Sequence, residues 1–292
     1  MGVTVGKTVF LGRKALKKRD PAVEWLSSLV APLSPREFLL QQARELLVKS
    51  GQLEPPFEPQ KALPPSVKGV EKAKISRDGM LVPVEQGFII KLNSQRPKVR
   101  QRFACAHEIG HTFFFDWAGG RPWRPYESLS SYWAEEDLCY EFAEEMLMPQ
   151  ETLEKLIGMI GPPCINNFEG LLNTFQVSSE ALTRRIQRLN IWESIMVILI
   201  KDDQSSNFLK RRLVRKHKSY KYFRIQWDKL LTKNSSPYIA FRQPGVVKKS
   251  VIKAEELFRG GKKNKNWSIE SCRFNAKNSA IVVSIITPSE ST

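Results

Sequence analysis

The five residues His107-Glu108-Ile109-Gly110-His111 constrain this chain more than any other stretch. They lie within Arg100 to Phe115, where Phe103, Ala106, Gly110, Phe113 and Phe114 recur near helical spacing. On a helix, positions i and i+4 share one face, so both imidazoles can reach a single metal ion while the intervening Glu sits alongside. Zinc takes imidazole nitrogen readily, and a catalytic zinc site keeps one of its four positions for water, whose pKa it lowers toward about 7. Glu108 would take the proton from that water and pass it toward a leaving nitrogen. With 3 His and 23 Glu in 292 residues, independent placement gives the pattern in roughly two of a thousand such chains.

A catalytic zinc needs a third protein ligand. The position that would carry a further His in an extended metzincin motif is Trp117, and His217 lies far along in a basic segment, so a carboxylate is expected. A second helix, about Tyr132 to Leu147 and ended by Pro149, supplies many. Its apolar stripe, Cys139, Phe142, Ala143, Met146 and Leu147, faces inward, and one turn earlier the same face holds Glu135 and Glu136. Periodicity does not choose between those two. Asp137, Glu141, Glu144 and Glu145 are expected on the solvated face.

The string Arg102-Phe103-Ala104-Cys105-Ala106-His107-Glu108-Ile109-Gly110-His111, followed by Glu136 and then Cys139 through Pro149, resembles the ImmA/IrrE family of metallo-endopeptidases. Gly87 to Asn93 resembles the family's preceding strand, and Phe175 to Leu182 with Arg184, Arg185 and Ile186 its later helix, so the likeness covers about residues 35 to 190. The resemblance implies Glu136 as the third ligand, one Zn2+ per chain, and cleavage of a regulatory protein such as a helix-turn-helix repressor, with a role in stress response and transcriptional regulation. Two residues depart from the family pattern: Cys139 stands where Ala is usual, and Tyr140 where Asn or Asp often supports a metal-bound His. Tyr126, Tyr132 and Tyr140 are candidates for stabilising the oxyanion.

Around this centre, the sequence indicates an α+β protein: a minimal zincin-like metallopeptidase domain followed by a basic, β-rich C-terminal domain. Residues 1–33 form a basic segment and 34–192 the metallopeptidase domain with trailing helices. Residues 193–292 make a basic α+β accessory domain. Ser34, Pro35 and Glu37 open a helix over about Pro35 to Lys49 with a capping box, and Gly51 stops it. A proline-rich connector, Glu54 to Ser66, leads to two expected strands, Ala73 to Val84 and Gly87 to Leu92, read as a hairpin, the latter as the edge that receives substrate. Shorter helices follow around Glu151 to Ile157, Asn167 to Phe175 and Ser178 to Leu189.

Charge is concentrated at the far end: residues 201–292 hold 21 Lys/Arg against 7 Asp/Glu, and residues 1–200 hold 25 against 23. Lys210, Arg211, Arg212, Arg215, Lys216 and Lys218, with Tyr220, Tyr222, Phe223 and Trp227 after them, mix cations and aromatics as nucleic-acid sites do, a candidate interface beside the plainer reading of a solvated basic face. Strands are expected at Ile195 to Ile200, Tyr220 to Gln226, Tyr238 to Phe241 and Ala280 to Ile286. Four scattered cysteines form no C-x-x-C pair and are expected as reduced, buried thiols. No apolar run suits a bilayer or a secretory signal, so the expectation is a cytoplasmic protein without membrane contact. The rival to an endopeptidase is a DNA- or partner-binding regulator with a structural or inactive metal site. An intact Glu108 favours the enzyme, because a structural site has no use for a general base.

Overall fold

The computed structural model describes residues 20–115, 133–202, 209–260, 265–276 and 279–289. Trp117, Tyr126, Tyr132 and most of the basic segment 1–33 lie outside the described residues. The chain is α+β. Two helices lead, α1 (Pro21–Val30) and α2 (Pro35–Lys49), followed by β1 (Val67–Ala73), β2 (Gly79–Val84) and β3 (Gly87–Asn93). Five helices come next: α3 (Lys98–His111), α4 (Trp133–Leu147), α5 (Gln150–Ile160), α6 (Ile165–Phe175) and α7 (Ser179–Leu189). The C-terminal part holds β4 (Ile195–Lys201), β5 (Leu209–Lys216), α8 (Trp227–Leu230), α9 (Ser236–Arg242), β6 (Lys248–Lys253), α10 (Ala254–Leu257), β7 (Asn266–Ala276) and β8 (Ser279–Pro288). No described helix is long and apolar enough to cross a membrane.

Local chemistry places several of these ends. Ser34 accepts from the Glu37 amide while the Glu37 carboxylate accepts from Ser34, closing the expected capping box. Ser178 caps α7 through the Ala181 amide. Asp20 does the same for α1, accepting from Ala22, with Pro21 at the first helical position.

Four strand expectations are corrected. The run Ala73 to Val84 divides at residues 74–78, where the Asn93 amide donates to the carbonyls of Ile75 and Arg77 and holds a turn. Two strands therefore flank β3: β2 pairs with it antiparallel and β1 parallel, in the order β1-β3-β2. Gly87 to Leu92 is thus the central strand and not an edge, because both of its sides are hydrogen-bonded. Tyr238 to Phe241 is helical, inside α9, since four apolar residues cannot by themselves distinguish a strand from a buried helical turn. Tyr220 to Gln226 is loop, with one bridge from Ile225 to Phe258. Its aromatic residues pack without strand pairing, Tyr220 on Trp267 and Phe223 on both Phe258 and Trp267.

The second sheet is antiparallel, in the order β5-β4-β8-β7-β6. Met196, Ile198, Leu213, Cys272, Val283 and Ile285 from one face join the core that α3 to α7 and the first sheet build. Ile195, Val197, Leu199, Val282 and Ile286 on the other face form a separate cluster with Phe258 and Trp267. The alternation in Ile195 to Leu199 feeds two cores from one strand.

The acidic half of α4 also departs from expectation. Glu144 is 0% and Glu145 1% exposed, and Glu141 is half-buried, whereas Asp137 is exposed. Glu145 pairs with Arg185 and with Arg44 at 2.7 Å, and Arg188 pairs with Glu144 at 2.9 Å and with Glu141. These carboxylates are internal because arginines of α2 and α7 meet them, and burial without such partners would be prohibitive. Replacing Arg185 by Met should strip Glu145 of a fully buried partner and lower unfolding free energy by about 3 kcal/mol, read from urea denaturation.

Candidate metal centre

Helix α3 presents His107 and His111 one turn apart, and α4 lies across it. The approach is close because Gly110 has no side chain: a Cβ there would lie 3.3 Å from both the Cys139 Cα and the Phe142 ring. Glu136, one turn before Cys139, then meets both imidazoles. His107 Nε2 lies 3.2 Å from Glu136 Oε2, His111 Nε2 3.4 Å from Glu136 Oε1, and the two Nε2 atoms 3.2 Å from each other. Ligands about 2.0–2.1 Å from a tetrahedral ion stand about 3.3 Å apart, so this donor set fits zinc in both chemistry and spacing. Among the described residues His107, His111 and Glu136 form the one group of three or more such side chains able to hold a metal ion.

Glu135 takes a different position. Its Oε1 lies 2.8 Å from His111 Nδ1, so that nitrogen donates to Glu135 while Nε2 faces Glu136. The Glu135 amide in turn donates to Asp20 Oδ2 at 3.2 Å. Sequence reasoning missed Asp20, although the Asp-Pro pair that opens α1 marks it as a cap. His107 is held by packing, with the Tyr140 ring 4.7 Å away and Phe103 beyond it, and among the described residues its buried Nδ1 has no hydrogen-bond partner.

Electrostatics follow from this packing. Burial works against the Glu136 charge, but hydrogen bonds from His107 and His111 outweigh it and hold the carboxyl far below the usual carboxylate range. Burial pushes the Cys105 thiol up to about 12 and the Cys139 thiol up to about 11, so both stay protonated at neutral pH. Cys272 is also buried and Cys164 half-buried, and none forms a disulfide.

Glu108 follows His107 on α3 and rests against β2: a Cβ on Gly79 would come within 3.0 Å of its Cγ. The edge of the first sheet beside this carboxylate is therefore β2. The basic run lies elsewhere. Lys210, Arg211, Arg212, Arg215 and Lys216 fall on β5, and Lys218 opens the short turn after it. Strand alternation divides these cations between two faces of the second sheet.

Two histidines and a carboxylate converging from crossed helices, with a second carboxylate next in sequence to one His, define a candidate metallohydrolase-type centre. Residues 71–187 match the family model described as IrrE N-terminal-like domain, peptidase M78. That match supports the ImmA/IrrE family likeness read from the sequence. Among solved structures, a Mycobacterium tuberculosis transcriptional regulator is similar in fold, with a TM-score of 0.56 at 12% identity over 86% of this chain and 76% of that one. No curated protein matches the chain.

After dialysis against a moderate chelator, Glu136→Ala should have lost zinc, and Glu135→Ala should retain it with affinity weakened about 10- to 100-fold. The reverse order would assign the ligand to Glu135. Tyr140→Asn offers His107 Nδ1 an acceptor and should tighten zinc binding about 10-fold in competition titrations.

Proposed function

We propose that this chain is a zinc-dependent endopeptidase that cuts a regulatory protein at a defined site. The observation that carries the reading is the mutual 3.2–3.4 Å spacing of His107, His111 and Glu136 with Glu108 beside them on α3. His107, His111 and Glu136 would hold the ion, one per chain. A zinc ion so held supplies a Lewis acid for a peptide carbonyl and lowers the pKa of water. Glu108 takes the proton from the attacking water and returns it to the leaving nitrogen, so one carboxylate serves both halves of the hydrolysis. Glu135, through His111 Nδ1, keeps that ring turned toward the ion.

Substrate would lie extended along the side of β2 that no described strand pairs with, where backbone pairing supplies affinity and places a carbonyl near Glu108. The substrate class follows from the family likeness, a regulator such as a helix-turn-helix repressor, and an intracellular site of action goes with it. The second reading is a DNA- or partner-binding regulator whose metal is structural or whose activity is lost. The fold likeness to a transcriptional regulator and the unsupported Nδ1 of His107 favour it.

Glu108→Gln separates the two. It should keep about one zinc per chain by elemental analysis and lose cleavage of a protein identified by the fragments that appear when the wild type is expressed. Undiminished cleavage by this variant would remove Glu108 from the mechanism.

A further inference from the structure

The second sheet carries a cleft unrelated to the metal centre. On β5, Val214 and Lys216 pair with Val197 and Ile195, and Leu213 with Ile198. Strict alternation would send Arg211 to the Leu213 face. A bulge between Ile198 and Leu199 leaves Arg212 as an extra residue, and Arg211 pairs instead with Leu199, on the same face as Val214 and Lys216. The bulge thus turns Arg211 toward Trp227, with its guanidinium carbon 5.3 Å from the ring centroid.

Arg211, Lys216, Lys221 and Arg224 wall a cleft of about 510 Å³. Val214, Ile225 and Trp227 give it an apolar floor. The Lys216 ammonium, its pKa lowered by burial, donates to the Phe223 carbonyl and has two further donors to offer. Among the described residues, none of the four cations lies within ion-pairing distance of a carboxylate. Their neighbours Lys210 and Arg212 do, facing Asp202 at 3.3 Å and Glu180 at 3.7 Å. Four cations in one concavity without counter-charge create a strong local field for an anion. The volume falls in the roughly 300–1,000 Å³ range of small-molecule sites. A nucleic-acid strand would need a continuous basic track, and alternation sends Lys210 and Arg215 to the other face.

We infer that this cleft binds an organic phosphate of the nucleotide class, its phosphates held by Arg211, Lys216, Lys221 and Arg224 and its planar ring laid over Trp227, Ile225 and Val214. Charge-assisted hydrogen bonds supply the anionic half, and burial of ring surface supplies the rest.

The test is titration calorimetry of the full chain with inorganic pyrophosphate, ADP and a short oligothymidylate at low and high salt. ADP should bind more tightly than pyrophosphate, and both should weaken as salt rises. Lys221→Ala and Arg224→Ala alter exposed side chains, so each should keep the wild-type circular dichroism and weaken both ligands about tenfold. Trp227→Ala should weaken ADP more than pyrophosphate, since it removes the ring surface and leaves all four cations in place. No binding of ADP or pyrophosphate by the intact chain, or binding that survives both alanine variants unaltered, overturns the assignment. Binding of oligothymidylate without ADP also overturns it and makes the surface a nucleic-acid site.

Discussion

Everything at the candidate metal centre depends on how closely α3 and α4 approach each other. Gly110 permits it: even a methyl group there would press on the α4 backbone at Cys139 and on the Phe142 ring. With the helices in contact, Nε2 atoms from one and a carboxylate from the other fall within 3.4 Å of each other. Cys139, Phe142, Ala143 and Met146 are fully buried along the contact, and each large apolar side chain so buried contributes about 1.5–3 kcal/mol. Packing energy is thus spent on geometry that brings a carboxylate against two imidazoles.

Buried arginines fix the two helices in rotation and along their axes. Arg102, 2% exposed, donates from α3 to the carbonyls of Phe175 and Gln176 at the end of α6, and to that of Phe57. It satisfies carbonyls that a helix end leaves unpaired, and Gln176 there adopts a left-handed conformation. Arg185 plays the corresponding part for α4, reaching Glu145 and donating to the Met148 carbonyl at 3.0 Å. A buried charge pair contributes little net stability, but removing either partner is costly, so each arginine specifies one arrangement. Glu136 at the start of α4 and Glu144 and Glu145 near its end are therefore placed by the same helix for different purposes.

Several features were legible in the sequence because they depend on neighbours a few residues apart. The capping box at Ser34 and Glu37, the Ser178 cap, the apolar stripe of α4 and the two histidines on one face of α3 all follow from helical period and side-chain reach. Pro83 marks β2 as an edge strand, since a proline removes a ladder donor, but the break at residues 74–78 depends on the distant Asn93. The aromatic loop Tyr220 to Gln226 mimicked a strand by composition, since its rings are buried by packing against Phe258 and Trp267 rather than by a ladder.

The sequence by itself determined the donor types, the helix that carries His107, Glu108 and His111, and the restriction of the third ligand to Glu135 or Glu136, all consequences of local periodicity. Tertiary structure decided what depends on distant partners. It set Glu136 against both Nε2 atoms and Glu135 against His111 Nδ1, since adjacent residues on a helix point about 100° apart and only the crossing with α3 gives those directions meaning. It buried Glu144 and Glu145 by bringing Arg188 and Arg185 to them, and a single bulged residue put Arg211 on the same face of β5 as Lys216. Composition carries the charge of a residue, but only the pairing of strands and helices fixes what that charge faces.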